Sequence, residues 1–100
     1  MYPESRRVSQ TASAVVTIAN KLGLHARPAT LFVQTAATAE AAITVRRMDQ
    51  DECVDGKSIM QMMMLAATQG TKIEITAVGS DAQDAVAMLV KLVKGGFEED

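Results

Sequence analysis

The sequence predicts an α+β fold, a two-layer open-faced sandwich in which a four-stranded antiparallel sheet is covered on one face by three helices. Segments with alternating apolar residues are interleaved with segments whose apolar residues recur at helical spacing, in the order βαββαβα. Polar residues at every second strand position indicate that one side of the sheet faces solvent. Each longer helix carries a single apolar stripe, which suits one covered sheet face. The alternative is another two-layer α/β sandwich, of ferredoxin-like topology.

Size and composition predict a single soluble domain. The chain has 100 residues, of which 48% are hydrophobic and 22% are charged, which is enough for one modest core and too few for two. The net charge of −2 and the three aromatic residues provide no electrostatic basis for binding nucleic acid. We therefore expect no nucleic acid among the partners.

The two ends of the chain are predicted to lie outside the folded domain. The first dozen residues contain no continuous apolar run, so they indicate neither a secretory signal nor membrane insertion. We interpret residues 1–13 as a flexible polar lead-in, residues 14–95 as the domain and residues 96–100 as an acidic tail. Cys53 is the only cysteine, which excludes an internal disulfide and fits a reducing compartment. A cytoplasmic location is therefore expected.

The first half of the domain predicts a strand, a helix and a hairpin. Residues 14–20 form a short run rich in β-branched side chains, which is typical of a strand that leads into a turn. Apolar residues recur at helical spacing over residues 26–39, and this predicts the first helix. Alternation returns near residues 42–48 and 52–56 on either side of an acidic stretch, and we interpret these two segments as a β-hairpin.

The second helix is predicted over residues 58–68, because Ser58 is a preferred N-cap residue and Gly70 supplies a C-terminal stop. Four methionines fall in this segment, and successive positions sweep around a helix axis, so one short helix cannot bury them all. Met62 and Leu65 are predicted to face inward. The residues expected to form an exposed apolar patch, adaptable enough to dock several partners, are Leu24, Ile59, Met60 and Met63.

The last two elements have the clearest patterns. Residues 72–78 alternate strictly between apolar and polar side chains, which predicts a half-buried strand. Ser80 and Gln83 match a capping box, and an apolar stripe then continues until Gly95. These signals predict a final helix that completes the covering layer.

The candidate site surrounds His25, the only histidine in the chain. Pro28 marks the start of a helix, which places His25 at or beside the N-cap. Backbone N–H groups without helical partners, the positive end of the helix dipole and the guanidinium of Arg27 would together hold an anion there, phosphate above all. The same positive field disfavours the imidazolium form, so we expect a neutral, nucleophilic imidazole at neutral pH.

Other chemistry is less well supported by the sequence. Gly56-Lys57-Ser58 resembles the end of a P-loop, but that pattern requires a glycine where Asp51 stands, so nucleotide binding is rejected. Cys53 has no evident metal-binding or catalytic partners. We therefore expect neither a cofactor nor a metal ion.

Two segments, residues 22–29 and 56–60, resemble the motifs of the HPr family of phosphocarrier proteins of the bacterial phosphotransferase system. The resemblance extends over residues 13–94 and implies an HPr-like fold. The segment Asn20-Lys21-Leu22-Gly23 and the ending at residues 96–100 are similar to the nitrogen-related branch of that family, called NPr.

The resemblance also implies roles for individual residues. His25 would accept a phosphoryl group on Nδ1 from enzyme I, itself charged by phosphoenolpyruvate, and pass it to an enzyme IIA-type protein. Arg27 would stabilise the phosphate. The residues implied to support the site are Gly23, Ala26 and Pro28.

Ser58 is the candidate regulatory residue, because some family members are phosphorylated at the corresponding serine by a kinase/phosphorylase. Two functions therefore stay open: a monomeric phosphocarrier without independent turnover, and a regulatory module whose phosphorylation at His25 and Ser58 controls protein partners. A third, a small-ligand-sensing domain, predicts that changing His25 leaves function intact.

Overall fold

A computed structural model of the protein describes residues 10–98. Within that range the elements follow the predicted order βαββαβα, and a short 3-10 turn, Gly96–Glu98, follows the last helix. The strands and helices are β1 (Gln10–Thr17), α1 (Ala26–Ala37), β2 (Ala42–Arg47), β3 (Cys53–Asp55), α2 (Ile59–Met64), β4 (Lys72–Gly79) and α3 (Ala82–Lys94). No helix in this part of the chain is long and apolar enough to cross a membrane.

The four strands form one antiparallel sheet in the order β1-β4-β2-β3. One face of β4 presents Ile73, Ile75 and Ala77, whose side chains are fully buried. The opposite face carries hydroxyl groups, among them Ser13 and Thr76, whose oxygens lie 2.9 Å apart across β1 and β4. Alternation along the strand thus divides the sheet into a covered face and a solvent face, and the predicted α+β class is confirmed.

The helices cover one face because their apolar residues recur every three or four positions. In α1 the buried stripe includes Ala29, Phe32 and Ala36, and in α3 it includes Leu89 and Val93. These side chains join the buried strand residues in one continuous core. The core therefore lies between the sheet and the helical layer.

The first strand begins earlier than predicted. β1 starts at Gln10, so the end of the predicted lead-in over residues 1–13 is part of the sheet, and the strand ends at Thr17 rather than at residue 20. Ala12 and Ala14 pack partly buried against the core and extend the alternation toward the N-terminus, but alanine is a weak strand signal. Residues 1–9 of that lead-in lie outside the described residues.

The C-terminal segment also differs from the prediction. Residues 96–100 were expected to form an acidic tail, but Phe97 is 1% exposed and belongs to the core. The chain reverses at Gly96 and Phe97, which have φ angles of 67° and 57°. This reversal turns the aromatic ring inward, so the first part of the predicted tail is structural.

The capping box predicted at Ser80 and Gln83 is not formed. The N-cap of α3 is Asp81, and its side chain makes no capping hydrogen bond. Its carboxylate instead accepts hydrogen bonds from the backbone N–H groups of Glu40 and Ala41, each at 2.9 Å. Asp81 therefore ties the start of α3 to the connection between α1 and β2.

Helix α2 is shorter than the predicted 58–68. It ends at Met64, and Ala66 follows with a φ of 52°. A non-glycine residue in this left-handed region cannot continue a right-handed helix. The chain therefore leaves the helix well before Gly70, the predicted stop.

Candidate functional site

The structure confirms the predicted position of His25 at the start of α1. His25 is the N-cap residue, with extended backbone angles of φ −80° and ψ −171°. Its carbonyl oxygen accepts a hydrogen bond from the N–H of Ala29 at 3.0 Å, the first bond of the helix. Pro28 lies in the first turn, where a proline displaces no helical hydrogen bond, and it is buried. The histidine is half-buried.

The start of α1 has the charge distribution of an anion site. Helix geometry leaves the N–H groups of Ala26 and Arg27 without intrahelical partners. The His25 side chain makes no capping hydrogen bond, and no acidic residue lies in the first turn. Arg27 is exposed and adds a full positive charge to the positive end of the helix dipole. An anion beside His25 would therefore meet two amide donors in a helical turn that also carries the positive charge of Arg27.

A tight turn brings the chain to His25. The N–H of Gly23 donates to the carbonyl oxygen of Asn20 at 3.2 Å, and the buried Asn20 side chain donates from Nδ2 to the Gly23 carbonyl at 2.9 Å. Gly23 has a φ of 67°, a conformation that favours glycine. The turn is therefore closed from both sides, which restricts the backbone that precedes the histidine.

The same segment is fastened to the turn that follows α2. The N–H of Leu24 donates to the carbonyl oxygen of Ala67 at 2.9 Å. A Cβ atom at Gly23 would lie 2.4 Å from that oxygen and 2.8 Å from the Cα of Thr68. Glycine is thus required here for close approach as well as for its φ angle.

The exposed side chains of α2 form an apolar patch. The predicted assignment of its side chains to a buried set and an exposed set is confirmed. Met62 and Leu65 are buried, whereas Met60 is 76% exposed. Met64 is equally exposed although it was not predicted to be, and it lies one turn beyond Met60 on the same helix face. We call the following set the α2 patch: Ile59, Met60, Met63 and Met64.

Leu24 does not belong to this patch. It is 5% exposed and belongs to the core, so its predicted place in a partner-binding surface is wrong. Its backbone N–H is held by the Ala67 carbonyl oxygen, and its side chain packs into the core. The neighbouring Leu22 is the exposed leucine of this loop, at 73%. Sequence alone does not separate the two because a loop has no fixed period.

Ser58 forms the N-cap of α2, as predicted. Its Oγ accepts a hydrogen bond from the N–H of Gln61 at 3.2 Å. The Gln61 side chain in turn accepts from the N–H of Asp55 at 2.8 Å, which joins the helix to β3. The Lys57 side chain donates from Nζ to the carbonyl oxygen of Ala39, in the connection between α1 and β2, at 2.8 Å. Ser58 is half-buried at the point where the hairpin meets the α2 patch.

The described residues contain no group of three His, Cys, Asp or Glu side chains close enough to hold a metal ion. Cys53 is exposed on β3 as a free thiol. The groups present at the start of α1 are the imidazole of His25, the backbone amides of residues 26 and 27 and the guanidinium of Arg27.

Comparison with known proteins places this arrangement in a family. Residues 12–95 match the family model described as "PTS HPr component phosphorylation site". The phosphocarrier protein HPr of Pseudomonas aeruginosa is 45% identical over 84 residues, which cover 84% of this chain and 92% of that protein. The phosphocarrier protein NPr of Escherichia coli K12 is 33% identical over 90 residues, which cover 90% of this chain and 99% of that protein.

Solved structures agree with these relatives. The crystal structure of HPr-C-His from Thermoanaerobacter tengcongensis superposes with a TM-score of 0.83 at 40% identity, covering 89% of this chain and 98% of that one. The HPr of Bacillus anthracis gives a TM-score of 0.77 at 41% identity, covering 83% and 96%. Family match, relatives and fold all agree, and the chain belongs to the HPr family of phosphocarrier proteins, with features similar to its NPr branch.

Proposed function

We propose that His25 accepts a phosphoryl group from phosphorylated enzyme I and passes it to an enzyme IIA-type protein, in either a sugar or a nitrogen phosphotransferase system. The observation that carries this proposal is the N-cap position of His25, where a nucleophile and an anion site coincide. Phosphoryl transfer depends mainly on positioning and charge stabilisation, and both are available at this helix start. The protein acts as a carrier, without independent turnover.

The proposed step forms one bond and breaks one. The lone pair of His25 Nδ1 attacks phosphorus, and the phosphorus–nitrogen bond to the histidine of enzyme I breaks, so that nitrogen leaves with its electron pair. Arg27 and the N–H groups of residues 26 and 27 stabilise the charge on the equatorial oxygens. Transfer to the acceptor histidine repeats the step with His25 as the leaving group. The assignment to Nδ1 follows the family resemblance.

The supporting residues each hold part of this geometry. Gly23 allows the tight turn and the close contact before the histidine. Ala26 contributes an N–H group and has too small a side chain to cover it. Pro28 fixes the direction in which α1 begins. Together they keep the imidazole at the helix start before a partner arrives.

The α2 patch is the proposed docking surface for both partners. Thioether side chains are flexible and polarizable, so one patch can fit an enzyme I and an enzyme IIA-type protein in turn. Helices α1 and α2 pack against each other, which places this surface beside the helix that begins at His25. We propose that the protein works as a monomer in the cytoplasm.

A second proposed function is regulation through Ser58. Its Oγ caps α2 at the edge of the α2 patch. A phosphate added there by a kinase/phosphorylase would bring a charge of about −1.5 to −2 next to an apolar docking surface. The phosphorylation states of His25 and Ser58 would then decide which partners bind. Mass mapping after incubation with such a kinase tests this, and an unmodified Ser58 would remove the proposal.

The main test uses phosphoenolpyruvate and enzyme I. Incubation should produce a mass gain of one phosphate that is lost in acid, as expected of a phosphohistidine. Because His25 is the only histidine, this phosphate has a single candidate position. The variant His25→Ala should gain none, whereas Ser58→Ala should gain it normally. An equal gain in His25→Ala would refute the proposal.

A further inference from the structure

Arg47 joins the end of the sheet to the end of α2. It is the last residue of β2, and its side chain is 20% exposed. Its Nη1 donates to the carbonyl oxygens of Leu65 and Ala66 at 3.2 and 3.1 Å. Its Nε and Nη2 donate to the two carboxylate oxygens of Asp49 at 3.0 and 2.9 Å. The guanidinium is therefore held by a bidentate pair on one side and binds the helix end with the other.

The end of α2 needs such a contact. The helix has six residues, too few to be stable without tertiary packing. Ala66 then takes a left-handed conformation that alanine disfavours. A guanidinium at the last carbonyl groups satisfies acceptors that the helix leaves open, and it interacts favourably with the negative end of the dipole. Arg47 thus stabilises the turn at residues 65 and 66.

That turn leads directly to the contact that fixes the histidine loop. Ala67 follows Ala66, and its carbonyl oxygen is the one that accepts from the N–H of Leu24 at 2.9 Å. The clearance at Gly23 is so small that a Cβ would lie 2.4 Å from the same oxygen. A displacement of Ala67 must therefore displace Leu24, and His25 is the next residue.

We propose that Arg47 is a positioning residue for His25, acting through the α2 end turn and the Ala67–Leu24 hydrogen bond. The inference rests on the proposed function of His25 and names a residue outside the site that keeps the imidazole and the anion donors aligned. In this proposal Arg47 makes no contact with the phosphate and acts only through its backbone partners. Its guanidinium sets where the Ala67 carbonyl points, and so where α1 begins.

The chain supplies a matched control in the preceding residue. Arg46 points to the opposite side of β2 and pairs with Glu74 at 3.1 Å. It also donates to the carbonyl oxygen of Gln50 at 2.8 Å. None of the bonds found for Arg46 reaches α2. Arg46→Met and Arg47→Met therefore remove a guanidinium from adjacent positions. Only the guanidinium of Arg47 is connected to His25, through the α2 end turn.

The experiment measures phosphorylation and backbone position on the full chain. An enzyme I that phosphorylates the wild-type protein is used at a temperature where both variants are folded. Arg47→Met should lower the maximal rate of His25 phosphorylation about 10-fold or more with little change in KM, because small misplacements of a reacting group are costly. The amide resonances of Leu24 and His25 should shift in Arg47→Met. Arg46→Met should keep both the rate and these resonances.

The inference is supported if Arg47→Met shows both the slower phosphorylation and the shifted amide resonances and Arg46→Met shows neither. A wild-type rate, unmoved amides, or an equal loss in Arg46→Met overturns the inference. If Arg47→Met does not fold, Asp49→Asn, which weakens the anchor of the guanidinium, should shift the same amides, and unmoved amides then overturn it. If the wild-type protein takes no phosphate, the proposed function fails, while the amide shifts still decide whether Arg47 positions the loop.

Discussion

Gly23 lies against the carbonyl oxygen of Ala67 with no room for a side chain, since a Cβ would stand 2.4 Å from that oxygen. This contact joins two loops that are far apart in sequence. One loop carries His25, and the other ends α2. The geometry of the candidate site is therefore fixed by a neighbouring element as much as by α1 itself.

Substituting Gly23 should be costly for this reason. Gly23→Ala adds a left-handed alanine and a backbone overlap, so the free energy of unfolding should fall by about 2 kcal/mol or more. Gly70→Ala is the matched control, because Gly70 also has a positive φ, of 89°, but nothing lies within 4 Å of its Cβ position. Urea denaturation of both variants separates the cost of a left-handed alanine, which both share, from the cost of the steric overlap at Gly23. Equal losses would show that the close contact carries no cost.

Phe97 should behave as a core residue despite its place near the C-terminus. Phe97→Ala removes a ring that is 1% exposed, so we expect a loss of about 3–5 kcal/mol in the free energy of unfolding. Glu98→Ala, at an exposed neighbour with a similar φ, should change it by no more than about 0.5 kcal/mol. Chemical denaturation measures both. A small effect of Phe97→Ala would contradict the burial of this ring.

Asp81 should contribute an acid-sensitive part of the stability. Its hydrogen bonds from the N–H groups of Glu40 and Ala41 lower the pKa of its carboxyl below the usual value of 3.8. The charged form is favoured in the folded state, so the stabilisation is present above pH 3.8 and is lost as the pH falls through the lowered folded value. Asp81→Asn should therefore be less stable than the wild type at neutral pH. The difference in stability between the two proteins should become smaller in acid. Denaturation midpoints between about pH 2 and pH 6 test this. A difference in stability that does not change with pH would refute this role of Asp81.

The α2 patch should affect docking rather than chemistry. The double substitution Met60→Ser with Met64→Ser should raise the KM for phosphorylation by enzyme I about 5- to 10-fold, equivalent to ~1 kcal/mol of lost contact, and leave the maximal rate unchanged. Met88→Ser is the control, because Met88 is an exposed methionine on α3. Steady-state phosphorylation kinetics measure all three proteins. A KM that rises equally in Met88→Ser would show that the α2 patch has no special role.

Local patterns were sufficient to predict the fold class and the start of α1. The alternation through Ile73 and Ile75 identifies a half-buried strand, and Pro28 after His25 marks a helix start. Each of these features depends on a few adjacent residues. Their positions in the structure follow the prediction because nothing distant overrides them.

Three of the errors concern residues whose place is set by distant contacts. The N–H of Leu24 is bonded to the carbonyl oxygen of Ala67 and its side chain is buried. The N-cap of α3 is Asp81 rather than Ser80, and its carboxylate accepts from the N–H groups of Glu40 and Ala41. Phe97 is drawn into the core by a chain reversal after α3. A one-dimensional pattern does not contain these contacts, so an exposed Leu24, a capping box at Ser80 and a tail from residue 96 were natural but wrong expectations.

The central claim is that the imidazole of His25 carries phosphate on Nδ1, and nuclear magnetic resonance of the phosphorylated protein tests it most directly. With nitrogen-15 in the histidine ring, phosphorus-31 coupling should appear at Nδ1 of His25 after incubation with phosphoenolpyruvate and enzyme I. A phosphate bonded to Nε2, to a hydroxyl group, or to no residue of this chain would contradict the account.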